Sequence, residues 1–146
     1  MAHPSALETL IELATTATDE AAKRLGRATR AAEEARGKLV MLQQYNEDYA
    51  ARFQASMKVG LTPMGYRNFQ SFMDKLDTAI AGQQKVVNDA DQRILTERSA
   101  WQESERKRIS YDTLVTRARN AEQLKETKRD QKATDEQAAR ILLYKR

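Results

Sequence analysis

The fold is decided by residues 5–58, which read SALETLIELATTATDEAAKRLGRATRAAEEARGKLVMLQQYNEDYAARFQASMK. Alternating steps of four and three residues pick out 15 positions in this stretch, and all but Thr18, Asn46 and Ser56 are apolar. These positions are Leu7, Ile11, Ala14, Thr18, Ala21, Leu25, Ala28, Ala32, Ala35, Leu39, Leu42, Asn46, Tyr49, Phe53 and Ser56. A mean spacing of 3.5 residues predicts a helix that supercoils left-handedly against a partner helix.

The composition is typical of long helices rather than of a globular enzyme. The chain has 146 residues, which predicts one domain, with 32% charged and 6% aromatic side chains, 5 Gly and 2 Pro. Two packed helices bury only a thin seam, so we expect no large pocket.

Residues that commonly perform catalysis are scarce. There is no Cys, and the single His is His3, near the N-terminus. We find no glycine-rich phosphate loop and no clustered metal ligands. The sequence therefore predicts a protein that is not an enzyme and has no cofactor and no metal site. No apolar run approaches the ~18 residues that span a bilayer, and no secretory signal is evident. We therefore expect a soluble cytoplasmic protein without direct membrane insertion.

Two local signals mark the helix ends. Ser5 and Glu8 form a candidate capping box at the start of the first helix. The break comes at Val59-Gly60-Leu61-Thr62-Pro63, where Gly60 suits a left-handed position and Thr62 can cap a helix that starts with Pro63. Because Gly65 loosens that start, we expect helix one at about 5–58, a turn at about 59–66 and helix two at about 67–143.

Helix two repeats the same step of four and three. Its positions are Phe69, Met73, Leu76, Ile80, Gln83, Val87, Ala90, Ile94, Glu97, Trp101, Ser104, Arg108, Tyr111, Val115 and Ala118. The predicted fold is thus all-α, an antiparallel two-helix coiled-coil hairpin in which the numbers of facing residues add up to about 123. It is expected to be a monomeric rod of roughly 80 Å, at ~1.5 Å per residue. Residues 119–146 have no seam to pack on, so we expect an unpaired helical extension that frays until a partner orders it.

The apolar band is widest near the turn. Leu42, Tyr49 and Leu76 are seam positions, and Tyr45, Phe72 and Ala79 lie beside the seam. This surplus has two interpretations, which are extra packing around a bulky seam or an exposed patch that docks a partner protein.

Basic residues are in excess in the last third of the chain. Residues 119–146 hold 8 basic and 5 acidic side chains, and acids are interspersed throughout helix two. A solvated coiled-coil face explains this pattern, and contact with an acidic protein surface is the alternative. Nucleic acid is not expected as a partner, because the acids repel phosphate and a net charge of +4 is weak for this length.

Several short matches, in order along the chain, resemble one known family. At the N-terminal end they are Ser5-Ala-Leu-Glu-Thr-Leu10, Leu13-Ala14, Asp19-Glu-Ala-Ala22 and Leu25-Gly26. Around the turn they are Leu39, Met41-Leu42, Tyr45, Tyr49, Gly60, Asn68, Phe72, Leu76 and Ala79-Ile80. Towards the C-terminus they are Trp101, Asp130-Gln131-Lys132, Asp135-Glu136 and Arg140. With this order and turn position, the whole chain resembles the FliJ family of the bacterial flagellar type III export apparatus.

The resemblance implies partners and contact residues. It implies an adaptor that binds the hexameric flagellar export ATPase and the cytoplasmic domain of the export gate membrane protein, and that escorts export chaperones. It would therefore associate peripherally with the inner membrane at the flagellar basal body. The family's gate-contact positions fall on Leu42, Tyr45, Tyr49, Phe72, Leu76 and Ala79, and a further position falls on Gln83, where some relatives carry His. ATPase or chaperone contact is expected at Asp130, Gln131, Asp135, Glu136 and Arg140.

Two other interpretations stay open at this point. A stalk protein of a virulence type III secretion system has a similar architecture, although the N-terminal matches favour the flagellar family. A purely structural coiled coil that oligomerises through helix one would carry the same stripe.

Overall fold

Two long helices make up the protein. The computed structural model describes residues 4–145, with side chains from residue 6, and contains α1 at Pro4–Val59 and α2 at Pro63–Tyr144. The described residues include no strand. The prediction of an all-α hairpin is confirmed. His3 and the Ser5 side chain, and with it the proposed capping box, lie outside the described residues.

The turn between the helices is short, and α2 begins at Pro63, four residues before the expected Arg67. The Thr62 hydroxyl accepts a hydrogen bond from the Gly65 N–H at 3.0 Å, which caps the first turn of α2. Gly65 does not loosen this start, since α2 is helical from Pro63 through Gly65. A Cβ there would lie 3.0 Å from the Leu61 side chain and 3.1 Å from the Thr62 hydroxyl, so the close packing favours glycine. Gly60 has φ of 103°, the left-handed conformation expected after a helix end.

One compact unit comprises Asp19–Gln102 and contains the turn. Its buried α1 residues are the predicted seam residues Ala21, Ala28, Ala32, Ala35 and Leu39. On α2 the buried residues are Leu76 and Val87, and Ile80 packs beside the cluster of Ala35, Leu39 and Val87. Small seam residues bring the two helices close together.

The register between the helices is antiparallel, as predicted. The numbers of residues paired across the seam add up to values from 118, for Ala35 with Gln83, to 127, for Arg36 with Asp91. These sums differ from the expected 123 by 5 and by 4 residues, which is about one helical turn in either direction.

Polar seam residues have partners. Gln83 Nε2 donates to the Ala35 carbonyl oxygen at 2.9 Å, and Asn46 Nδ2 donates to Asp77 Oδ1 at 2.9 Å. Among the described residues, no buried side-chain nitrogen or oxygen lacks a hydrogen-bond partner. Gln83, which is partly buried, therefore avoids most of the cost of an unpaired polar group in the seam.

The described residues of the second unit are 4–18 and 103–145. Thr18 is buried and donates its hydroxyl to the Ala14 carbonyl oxygen at 2.9 Å. Arg108 donates to Glu105 Oε1 at 2.5 Å and to Asp112 Oδ2 at 3.2 Å, and its hydrogen bond lowers the pKa of Glu105 below the ordinary value. From Thr116 to Lys145 every residue is exposed.

Candidate docking surface near the turn

Five aromatic rings form a continuous series near the turn, which we name the aromatic ladder. Phe72 stacks on Tyr49 with ring centroids 4.1 Å apart, and Tyr49 lies 5.6 Å from Phe69. Phe69 stacks on Phe53 at 4.3 Å, and Phe53 lies 5.7 Å from Tyr66. Rings alternate between α1 and α2 along the whole ladder, so the three inner rings each contact two others and the end rings, Phe72 and Tyr66, each contact one.

The ladder follows from the spacing of its members on each helix. Tyr49 and Phe53 are four residues apart on α1, and Phe69 lies three residues before Phe72 on α2, so each pair occupies one face of its helix. Aromatic pairs with centroids about 4.5–7 Å apart, as in Tyr49–Phe69 and Phe53–Tyr66, contribute about 0.5–1.5 kcal/mol each beyond the burial of their area. The Arg52 guanidinium lies 5.9 Å from the centre of the Tyr49 ring, within range of a cation–π contact.

The six expected gate-contact residues lie at three depths. They are buried at Leu76, half-buried at Leu42 and Tyr49, and exposed at Tyr45, Phe72 and Ala79. The Tyr45 side chain is 52% exposed and that of Phe72 is 40% exposed. Leu76 is buried, so the three exposed residues are the ones with the most surface available to a partner.

The exposed three belong to two rows that border one groove. Residues seven apart lie in one row along a coiled-coil helix. The α1 row is Arg24, Ala31, Lys38, Tyr45 and Arg52, and the α2 row is Phe72, Ala79, Val86 and Arg93. We name this side of the unit Asp19–Gln102 the groove face.

Two observations show that these rows face each other. Arg24 and Ala31 of the first row and Arg93 of the second line the same interhelical groove. Near the turn, the Tyr49 ring contacts both Arg52 and Phe72, one from each row.

The opposite side of the same unit, the back face, is polar and internally paired. Arg36 forms a hydrogen-bonded ion pair with Asp91 across the helices, and Asp77 accepts from Asn46. Row members Asp77, Gln84, Asp91 and Arg98 share this side of α2. Of the exposed aromatic residues of this unit, Tyr45 and Phe72 lie on the groove face, and Tyr66 lies beside the turn in neither row.

The expected ATPase or chaperone residues lie in the exposed part of α2. They are Asp130, Gln131, Asp135, Glu136 and Arg140, and all five are exposed. At ~100° per residue they are distributed around the helix circumference and share no single face. The structure does not bring them together into one patch.

Two further features of the described residues concern metal binding and membrane crossing. Within residues 4–145, no group of three or more His, Cys, Asp or Glu side chains is placed to hold a metal ion. In the described part of the chain, neither helix includes a run that is long and apolar enough to cross a bilayer.

Comparison with known proteins identifies the family. The model of the family described as "Flagellar FliJ protein" matches residues 3–146. The chain belongs to the FliJ family. The flagellar FliJ proteins of Escherichia coli (strain K12) and Salmonella typhi are each 32% identical to it over 145 residues, covering 99% of this chain and 99% of the relative.

Sequence reasoning did not single out two parts of this FliJ-family surface. The sequence pattern gives no role to Tyr66, and it predicts Phe53 and Phe69 as seam residues without linking them in one ladder. The arginines Arg24 and Arg93 at the far end of the groove were also missed. The repeat of seven residues that runs through Phe72, Ala79, Val86 and Arg93 was the signal that could have linked Arg93 to the aromatic end.

Proposed function

We propose that this FliJ-family chain is a non-catalytic adaptor of the bacterial flagellar type III protein export apparatus. It docks Phe72, at the groove-face end of its aromatic ladder, and the neighbouring Tyr45 on the cytoplasmic domain of the export gate membrane protein. Its C-terminal helical segment contacts the hexameric export ATPase and export chaperones. Through the gate the chain associates peripherally with the inner membrane at the flagellar basal body.

The gate assignment rests on one observation, the exposure of Tyr45 and Phe72 side by side on the groove face. Large aromatic side chains supply much of the binding energy at protein interfaces. Phe72 is fixed by its stack on Tyr49, so little side-chain entropy is lost when a partner covers it. Tyr45 adds a hydroxyl that can form a hydrogen bond at the edge of the apolar contact.

The shape of the site supports an adaptor rather than an enzyme. The groove face is an open interhelical furrow, whereas substrate pockets enclose most of their ligand. Its most exposed side chains are apolar or basic, which suits contact with another protein surface.

The test is binding of the gate's cytoplasmic domain to the full chain by calorimetry. Tyr45→Ala and Phe72→Ala are each expected to weaken binding by about tenfold or more, the loss typical of an interface hot spot. Val40→Ala is the matched control, because Val40 is 59% exposed on α1 but belongs to neither groove row, and it is expected to bind like wild type.

Circular dichroism separates loss of contact from loss of fold. Phe72→Ala also removes a ring stack, whereas Tyr45 has no part in the ladder, so Tyr45→Ala is the cleaner variant. If both variants remain helical and bind the gate domain as tightly as wild type, the gate assignment is wrong.

A further inference from the structure

We propose that the gate-docking surface extends along the groove face to Arg24, Arg27 and Arg93, and that this far end binds carboxylates of the same partner. The occupant is an elongated protein surface, apolar where it meets Phe72 and Ala79 and acidic where it meets the arginines. This inference rests on the proposed docking at the aromatic ladder, and it adds the partner's charge and the direction in which the partner lies.

The two groove rows carry no acidic side chain. Four of their members are basic, Arg24, Lys38, Arg52 and Arg93, and the others are apolar, Ala31, Tyr45, Phe72, Ala79 and Val86. Acidic residues are otherwise frequent along this chain, with 21 Asp and Glu among 146 residues. A partner that lies between the rows therefore meets cations and apolar surface.

The middle of the groove is open, and its row members are apolar apart from Lys38. Val86 is 50% exposed, and the small residues Ala31 and Ala79 are exposed in the two rows. From Phe72 to Arg93 the α2 row spans about 32 Å, at ~1.5 Å per residue. The apolar surface thus leads from the ladder to the arginines without interruption by an acidic row member.

The basic end of the groove has unused hydrogen-bonding capacity. Arg24 and Arg93 both pair with Glu97, at 3.4 Å and 3.8 Å, and so share one carboxylate. Each guanidinium has five N–H donors, so most of their donors remain for another acceptor. Arg27 lines the same groove, and the described residues show no ion pair for it.

Acidic residues at this end do not cancel the arginines. Asp89 and Glu97 also line the groove, which leaves three guanidiniums against two carboxylates. An additional carboxylate from a partner restores neutrality, and several arginines acting together favour bidentate contact with it.

On the back face, by contrast, charged side chains are already paired with neighbours on the other helix. There, Arg36 is already paired with Asp91, and Asp77 is bonded to Asn46. The complementary charge that would attract an acidic surface is therefore available on the same face as Tyr45 and Phe72.

The test measures the salt dependence of gate-domain binding. Titrations at low and high NaCl compare the wild-type chain with Arg27→Glu and Arg93→Glu. At low salt each variant is expected to bind about tenfold more weakly, and the difference is expected to shrink at high salt because screening weakens charge contacts. Arg98→Glu is the control, since it makes the same charge change on an exposed residue of the back-face row and is expected to bind within about twofold of wild type.

The outcomes separate this inference from the gate proposal. If Tyr45→Ala weakens binding while Arg27→Glu and Arg98→Glu behave alike, the gate docks at the ladder and the basic extension is wrong. If none of the variants changes binding, both proposals fail. Tight binding of duplex DNA by the wild-type chain, abolished by Arg27→Glu, would also overturn the assignment of the groove to an acidic protein surface.

Discussion

At the scale of single residues, small side chains determine how closely the two helices approach. Ala21 and Ala32 are fully buried, and Gln83 reaches the backbone oxygen of Ala35 across the seam. The seam positions followed from the sequence, because the apolar repeat is regular. The hydrogen-bond partner of Gln83 did not, because it depends on the exact approach of two backbones.

Two glycines give a residue-scale prediction with opposite signs. Gly60→Ala is expected to lower the free energy of unfolding by about 1 kcal/mol, because φ of 103° is strained for an L-residue with a Cβ. Gly37→Ala is expected to raise it by about 0.5–1 kcal/mol, because Gly37 lies inside α1 and nothing stands within 4 Å of the added Cβ. Urea unfolding followed by circular dichroism measures both, and equal effects of the same sign would contradict the assigned backbone conformations.

At the scale of elements, α2 is longer than α1. It has 82 residues against 56 in α1, and all residues from Thr116 to Lys145 are exposed. An isolated charged helix gains little from its own propensity, since most helical stability comes from packing. This segment therefore depends on a partner for a buried surface, which suits the proposed contact with the export ATPase.

A truncation tests that role. A variant that ends at Thr127 is expected to lose binding to the export ATPase and to keep wild-type affinity for the gate domain, because the removed residues include the five C-terminal contact candidates and none of the groove face. Its urea midpoint is expected to be unchanged, since the residues described in the removed part are all exposed. Undiminished ATPase binding, measured by co-sedimentation, would show that the contact lies elsewhere.

At the scale of the whole molecule, the sequence predicts the fold well and the surface only in part. A strict heptad repeat, one break at Gly60 and a matching stripe on helix two leave few alternatives to a hairpin. The ladder and the groove face are harder to predict, because a small shift in register between α1 and α2 would place different side chains opposite Tyr49 and Arg24. Burial at Leu76 and exposure at Tyr45 did follow from the heptad positions, since Leu76 lies in the seam and Tyr45 beside it.

The measurement that tests the docking account most directly is cysteine labelling in the presence of the gate domain. The chain has no Cys, so Ala79→Cys on the groove face and Gln43→Cys, in the back-face row of Arg36, each provide a single exposed thiol. Saturating gate domain is expected to slow maleimide labelling at position 79 by about tenfold or more and to leave the rate at position 43 unchanged, because docking removes the groove face from solvent. Equal protection at both positions, or protection at position 43 alone, would contradict docking through the groove face.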